Sequence, residues 1–165
     1  MIAACSAALL ITSVAGSGHS LSPRAKPEKS KLVRQRLSEL FALCQANNLK
    51  QAGAYCVYRG PDKARRWHDV YHVAAKEEEE EREEINSICY RIRNYLDGSK
   101  SYEFDRFWCK EQLEGEWCAW EVRFRRTGSA ETVAFAFLKV GTRYALGDID
   151  RIATAETHKR LEIPN

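Results

Sequence analysis

Asp148 and Asp150 stand two apart in an alternating apolar segment, so on a strand both carboxylates project from one face and can act as a pair. More commonly such a pair ends a strand, accepting turn amides or pairing with a base such as Arg143. His68 and His72 stand four apart, the step that on a helix brings two imidazoles to one metal ion. The glutamate of a zincin motif is missing and there is no third ligand, so no metal and no cofactor are expected. A general base in a pocket needs a carboxylate or imidazole whose pKa is lifted by apolar surroundings, with a tyrosine or acid opposite to stabilise an oxyanion. Tyr55, Tyr58, Asp62, His68, Asp69 and Trp120 are the groups that would supply it, and each has an ordinary structural role open to it.

The densest basic and aromatic cluster comprises Tyr58, Arg59, Lys63, Arg65, Arg66 and Trp67. Arginine forks suit carboxylate and phosphate. Tyr58, Arg59, Arg66 and Trp67, together with Trp120, are therefore the ligand-binding candidates. Equally, Trp67 can anchor this loop to the core while the arginine stems cover apolar surface. The net charge of +3 over 165 residues names no nucleic acid or acidic membrane as partner. No Gly-rich phosphate loop follows a strand and no nucleic-acid motif is present.

These residues are positioned by a run of strands that fills the C-terminal third. Cys118, Trp120, Val122 and Phe124 alternate on one face, then Val133, Phe135 and Phe137, then Tyr144 and Leu146. Turns at 113–115, 127–129 and 141–142 predict four antiparallel strands in a meander, the last turn with glycine first as a type II′ hairpin prefers. Trp117, Arg123 and Arg125 fall on the opposite face of the second strand, an interaction-surface composition if no helix covers them. Ahead of the strands, Ser30 is a reasonable N-cap for a helix that carries Val33, Leu37, Leu40, Phe41 and Cys44 and stops at Asn47-Asn48. A shorter helix is expected from Leu49 to Val57, with a break at Gly60-Pro61. A third carries Ile85, Ile88, Cys89, Ile92, Tyr95 and Leu96, with Gly98 at the C′ position. The run from Glu77 to Glu81, with Glu83 and Glu84, occupies its first turns and is read as a solvated face that complements the macrodipole.

Helices followed by a meander predict an α+β fold, N-terminal helices packed on a curved antiparallel four-stranded sheet, in one domain spanning 30–152. The element order and the segments EGEWCAWEVRFRR, TVAFAFLKV and RYALGDID together resemble the cystatin-like and nuclear-transport-factor-two-like superfamily. The resemblance covers roughly Ser30 to Asp150. It implies a cone-shaped pocket on the concave face of the sheet, and face-to-face homodimers through that sheet. No catalytic motif of the superfamily matches residue by residue, and such folds host enzymes, carriers and interaction modules alike.

If the first hairpin turns on Leu113-Glu114, Cys109 lies across from Cys118 and Phe107 across from Trp120, all on one face. A cross-strand disulfide between Cys109 and Cys118 is one reading, and two small buried hydrophobes the other. Cys44 and Cys89 lie on the apolar stripes of their helices and are read as core thiols, with Cys56 able to pair with either. The residues 1–18 form a signal-like apolar segment, too short to span a bilayer, with Ser13-Val14-Ala15 as the cleavage-like site. Ile2-Ala3-Ala4-Cys5 resembles a lipobox, which would anchor the chain through Cys5. Residues 19–29 have a linker composition, and 153–165 form a tail. Export to a periplasmic or extracellular space is therefore expected, with no transmembrane span. Two functions fit these features: a non-catalytic module that binds a ligand or protein partner through the sheet, and a small isomerase- or hydratase-like enzyme with a buried pocket carboxylate or histidine.

Overall fold

The computed structural model describes residues 25–73 and 79–152. The signal-like segment with Cys5, the linker up to residue 24 and the tail from 153 lie outside the described residues. Three helices, α1 (Ala25–Gln45), α2 (Leu49–Gly53) and α3 (Glu79–Asp97), precede four strands, β1 (Ser101–Gln112), β2 (Gly115–Arg126), β3 (Ser129–Val140) and β4 (Arg143–Ile152). The strands lie in the order β1-β2-β3-β4, each antiparallel to its neighbour, in one open sheet. This is the α+β meander that the alternation predicts. Among the described residues no helix is long and apolar enough to cross a membrane.

Helix α1 begins at Ala25, five residues before the expected cap at Ser30. Pro27 sits in its first turn, where the missing N–H costs nothing. The extra turn is held by tertiary contacts. Lys29 pairs with Glu116 of β2, and the Trp120 indole N–H donates to the Ser30 carbonyl at 3.0 Å. The helix stops where expected, at Asn47, which takes a left-handed φ of 54°. Asn48 then caps α2, its side chain accepting from the Gln51 N–H at 3.2 Å. Helix α2 ends at Gly53, short of the expected Val57, because the chain there leaves the helix to pair with the sheet: the Val57 N–H donates to the Leu146 carbonyl and the Leu146 N–H to the Tyr55 carbonyl. Gly98 follows α3 without a left-handed φ, contrary to the expected C′ role.

One face of the sheet, the inner face, packs against α1 and α3. Val122, Phe124, Val133, Phe135 and Phe137 are fully buried there against Leu37, Leu40, Phe41, Ile85 and Ile92. The rings of Phe41, Tyr95 and Phe124 all lie within 6.4 Å of Phe135, centroid to centroid. These rings pack the middle of the inner face. Two disulfides fasten this side. Cys109 is directly across from Cys118 in the β1–β2 register and is bonded to it. The second joins Cys44 of α1 to Cys89 of α3, which corrects the reading of both as free core thiols: packing the two stripes face to face brings their Cα atoms to 4.8 Å. Cys56 is left as a buried thiol, and burial pushes its pKa up to about 12, so it stays protonated and inert.

Candidate functional site

The outer face of the sheet is built differently, because the residues that alternate with the core positions are small. Ala119, Ala136 and Asp148 form one row across β2, β3 and β4, with Trp108 of β1 beside Ala119. Trp117, Leu138 and Ala145 form the next row. Between them β4 carries an extra residue, Gly147, in a bulge opposite the step from Ala136 to Phe137. That bulge is why Leu146 and Ile149 both face the core while Asp148 and Asp150 face out.

The segment from Tyr58 to Val70 leaves the β4 edge and folds across this corner as a strap. Val57 pairs with Val70 at its base, and the Tyr58 N–H donates to the Asp69 carbonyl at 2.8 Å. Arg65 clamps the strap: Nε donates to Asp69 at 2.9 Å, Nη1 to Glu81 at 2.7 Å and Nη2 to the Val70 carbonyl at 3.0 Å. Its guanidinium also lies 4.0 Å from the Tyr58 ring centroid. Glu81 and Asp69 hold it firmly charged. Arg66 closes the turn by donating to the Gly60 carbonyl. At the tip Trp67 adopts a φ of 67°, a left-handed conformation that a bulky residue keeps only when its surroundings enforce it, at a cost of order 1–3 kcal/mol.

This backbone delivers the Trp67 indole against Trp117, edge to face at 5.9 Å. The Arg59 guanidinium lies 4.9 Å from the Trp67 ring centroid, donates to the Gly147 carbonyl at 2.7 Å and approaches Asp148 at 4.0 Å. Gly147 is required here. A Cβ at that position would lie 2.5 Å from the Trp117 ring, so only glycine lets the indole rest on the bulge. Together with Trp108, Glu114 and Asp150 these residues line a cleft of about 280 Å³.

Of the five ligand candidates, the structure brings Arg59 and Trp67 to this cleft. Tyr58 is buried beneath the strap beside Tyr71, its hydroxyl accepting from the Asp62 N–H. Arg66 serves the turn, and Trp120 lies on the inner face between Phe104 and Phe107. Trp117, expected as an exposed residue of the outer face, is on that face but only 7% exposed, because the strap rather than a helix covers it. Asp148 and Asp150 share a face as expected. Asp148 accepts from the Ile149 N–H and neighbours Arg59, not Arg143. His68 and His72 are off any helix; the exposed His72 imidazole is 3.3 Å from Asp69, and no group of three metal-ligating side chains occurs among the described residues.

Trp108 and Gly147 are absent from the sequence-based candidates. Trp108 carries a usable signal, since the residue between Phe107 and Cys109 must face the other way. The bulge at Gly147 carries none, because a single glycine inside a strand pattern does not say which side it serves. Comparison with protein-family models, with curated proteins and with solved structures finds no match to this chain.

Proposed function

We propose that the chain is a non-catalytic binding module of an oxidising, exported compartment, and that it holds its partner by inserting a cationic group of that partner into the cleft between Trp67, Trp108 and Trp117. The two disulfides support the compartment, since such bonds persist where thiols are not kept reduced. The observation that carries the binding reading is the lining of the cleft. Three carboxylates, Glu114, Asp148 and Asp150, stand against one guanidinium, and three indoles line the walls. Arg59 already occupies part of it as a cation over Trp67 and beside Asp148, which is the arrangement an ammonium or guanidinium of a partner would reproduce.

Catalysis of the isomerase or hydratase kind asks for an ionisable group buried at the floor. Here the floor is Gly147, Ala136 and indole, and the Asp148 side chain remains 46% exposed beside Arg59. Such a carboxylate supports binding better than proton abstraction. The strained φ of Trp67 points the same way, since strain of this kind is kept where a side chain must be presented.

Tryptophan fluorescence tests the reading with tetramethylammonium and with neopentyl alcohol, a neutral molecule of similar shape. Saturable quenching by the cation alone, abolished in Gly147→Ala and Trp67→Ala with the fold intact by circular dichroism, is the expected result. Equal responses to the cation and the neutral molecule would sink the charge-based reading.

A further inference from the structure

Past the filled core, the inner face of the sheet continues beneath the C-terminal half of α3. Arg91, Asn94 and Tyr95 of that helix, Arg126 at the end of β2 and Arg151 of β4 line a separate cavity of about 570 Å³. Three arginines from three elements line it. The register explains how the strands contribute, since Glu131 pairs with Phe124 and Arg151 with Val133, core positions that carry the inner face out to its charged end.

Their acceptors among the described residues are few. Arg91 Nη2 donates to the Ile149 carbonyl at 2.8 Å. Glu131 is shared, one oxygen 2.8 Å from Arg151 Nε and the other 3.3 Å from Arg126 Nη2. The Arg151 guanidinium also stands 6.0 Å from the Tyr95 ring centroid. Arg126 Nε is buried and has no acceptor among the described residues. A guanidinium carries five N–H donors, and here Glu131 is the carboxylate of two of the three, with Tyr95 beside Arg151, so donors remain that face the cavity and solvent. The helix dipole accounts for none of the three, because the last turn of α3 holds no base and Arg126 and Arg151 come from strands. Room for Arg126 is made by Gly98, where a Cβ would stand 3.3 Å from the Arg126 Cζ.

We infer that this cavity is a binding site for a tetrahedral oxyanion, a phosphate or sulfate group, held by Arg91, Arg126 and Arg151, with Glu131 as its internal competitor. A planar carboxylate offers two oxygens and matches a single guanidinium fork; three arginines lining one cavity suit an acceptor with more oxygens in more directions. This site is independent of the aromatic cleft, which lies on the other face of the sheet and carries the opposite charge. It also relocates the anion chemistry that sequence assigns to Arg59 and Arg66, whose guanidinium groups are engaged with Gly147 and Gly60.

The full, disulfide-intact chain is titrated at constant ionic strength with inorganic phosphate, with sulfate and with acetate as the planar control, following the arginine side-chain ¹⁵Nε resonances. Arg91, Arg126 and Arg151 should shift together and saturably, with phosphate or sulfate binding about tenfold or more tighter than acetate. Whichever of the two binds tighter identifies the source as phosphoryl or sulfate ester. Arg126→Gln should weaken binding by about tenfold, and Glu131→Gln should tighten it, a gain that misfolding cannot produce. Acetate binding as well as phosphate, shifts shared equally by exposed Arg106 and Arg123, or a Glu131→Gln chain with unimproved affinity would each overturn the assignment.

Discussion

The two faces of one sheet, made by alternate residues of the same four strands, have opposite constructions. The inner face is aromatic and aliphatic, sealed by α1 and α3 and fastened by two disulfides. The outer face has alanine and glycine at its centre, tryptophans only where the strap meets it, and ion pairs elsewhere, among them Arg106–Glu121 at 3.0 Å and Arg123–Asp105 at 2.9 Å. Alternation therefore divides labour as well as polarity: stability is concentrated on the side chains of one parity, and the residues of the other parity are left free to form a cleft. Where the outer face does bury large groups, around Trp117 and Leu138, it does so to hold the strap.

That division breaks most readily under truncation. Phe135 is fully buried at the centre of the inner face, and Phe135→Ala should cost about 3–5 kcal/mol in chemical denaturation, the usual penalty for emptying an aromatic core site. Trp67→Ala removes a larger side chain, but one only half-buried at the tip of the strap, and leaves the left-handed φ in place. Its cost should be well below that of Phe135→Ala. Equal losses at the two positions would show that the strap is part of the stabilising core and not a presenter of the cleft.

The disulfides sharpen the comparison within the inner side. Cys44 and Cys89 are 45 residues apart in sequence, Cys109 and Cys118 only 9. On the loop-entropy account, removing the first should cost about 4 kcal/mol and the second about 2.6 kcal/mol. Paired alanine variants, each first checked by alkylation and intact mass for the surviving bond, measure the difference directly. A hairpin bond worth as much as the helix–helix bond would mean that native-state strain, not loop length, sets their contributions.

Much of the inner face is legible in the amino-acid order alone. Period-two alternation specifies the inward residues of β2 and β3 and the register that opposes Cys109 to Cys118, because a slip of one residue would turn every phenylalanine to solvent. The Cys44–Cys89 bond is not legible, since each cysteine sits on an apolar stripe and nothing in either helix says how far along the other it will dock. The first turn of α1 is hidden for a related reason: Lys26, Pro27 and Glu28 carry no apolar period, and the turn is held by Lys29 and Ser30 reaching β2. Half of the cleft is visible in Arg59 and Trp67, as residue types. Their meeting with Trp108, Gly147 and Asp148 depends on the path of the strap, which is set by Arg65, a residue with the look of a ligand-binding base and the partners of a clamp.

The smallest expected effect tests whether the contact that seats α1 on the sheet is electrostatic. Glu116 of β2 is half-buried and accepts from both Lys29 and the Tyr144 hydroxyl. Burial pushes its pKa up, but those two donors outweigh it and hold the carboxyl below its ordinary value, while burial and Glu116 together raise the Tyr144 hydroxyl out of range of titration. A carboxyl depressed in the folded state binds its proton more weakly there than in the unfolded chain. Its stabilisation is therefore complete above the unfolded pKa of about 4.3 and is lost as pH falls from there through the folded value. Denaturation midpoints should drop between about pH 5 and pH 3, and Glu116→Gln should flatten that part of the profile while lowering the plateau above it, since the amide keeps a hydrogen bond and loses the charge. An unchanged acid slope in Glu116→Gln would place the acid sensitivity in other carboxylates and leave α1 seated on the sheet by Trp120, by Arg36 donating to the Tyr144 carbonyl and by the apolar stripe.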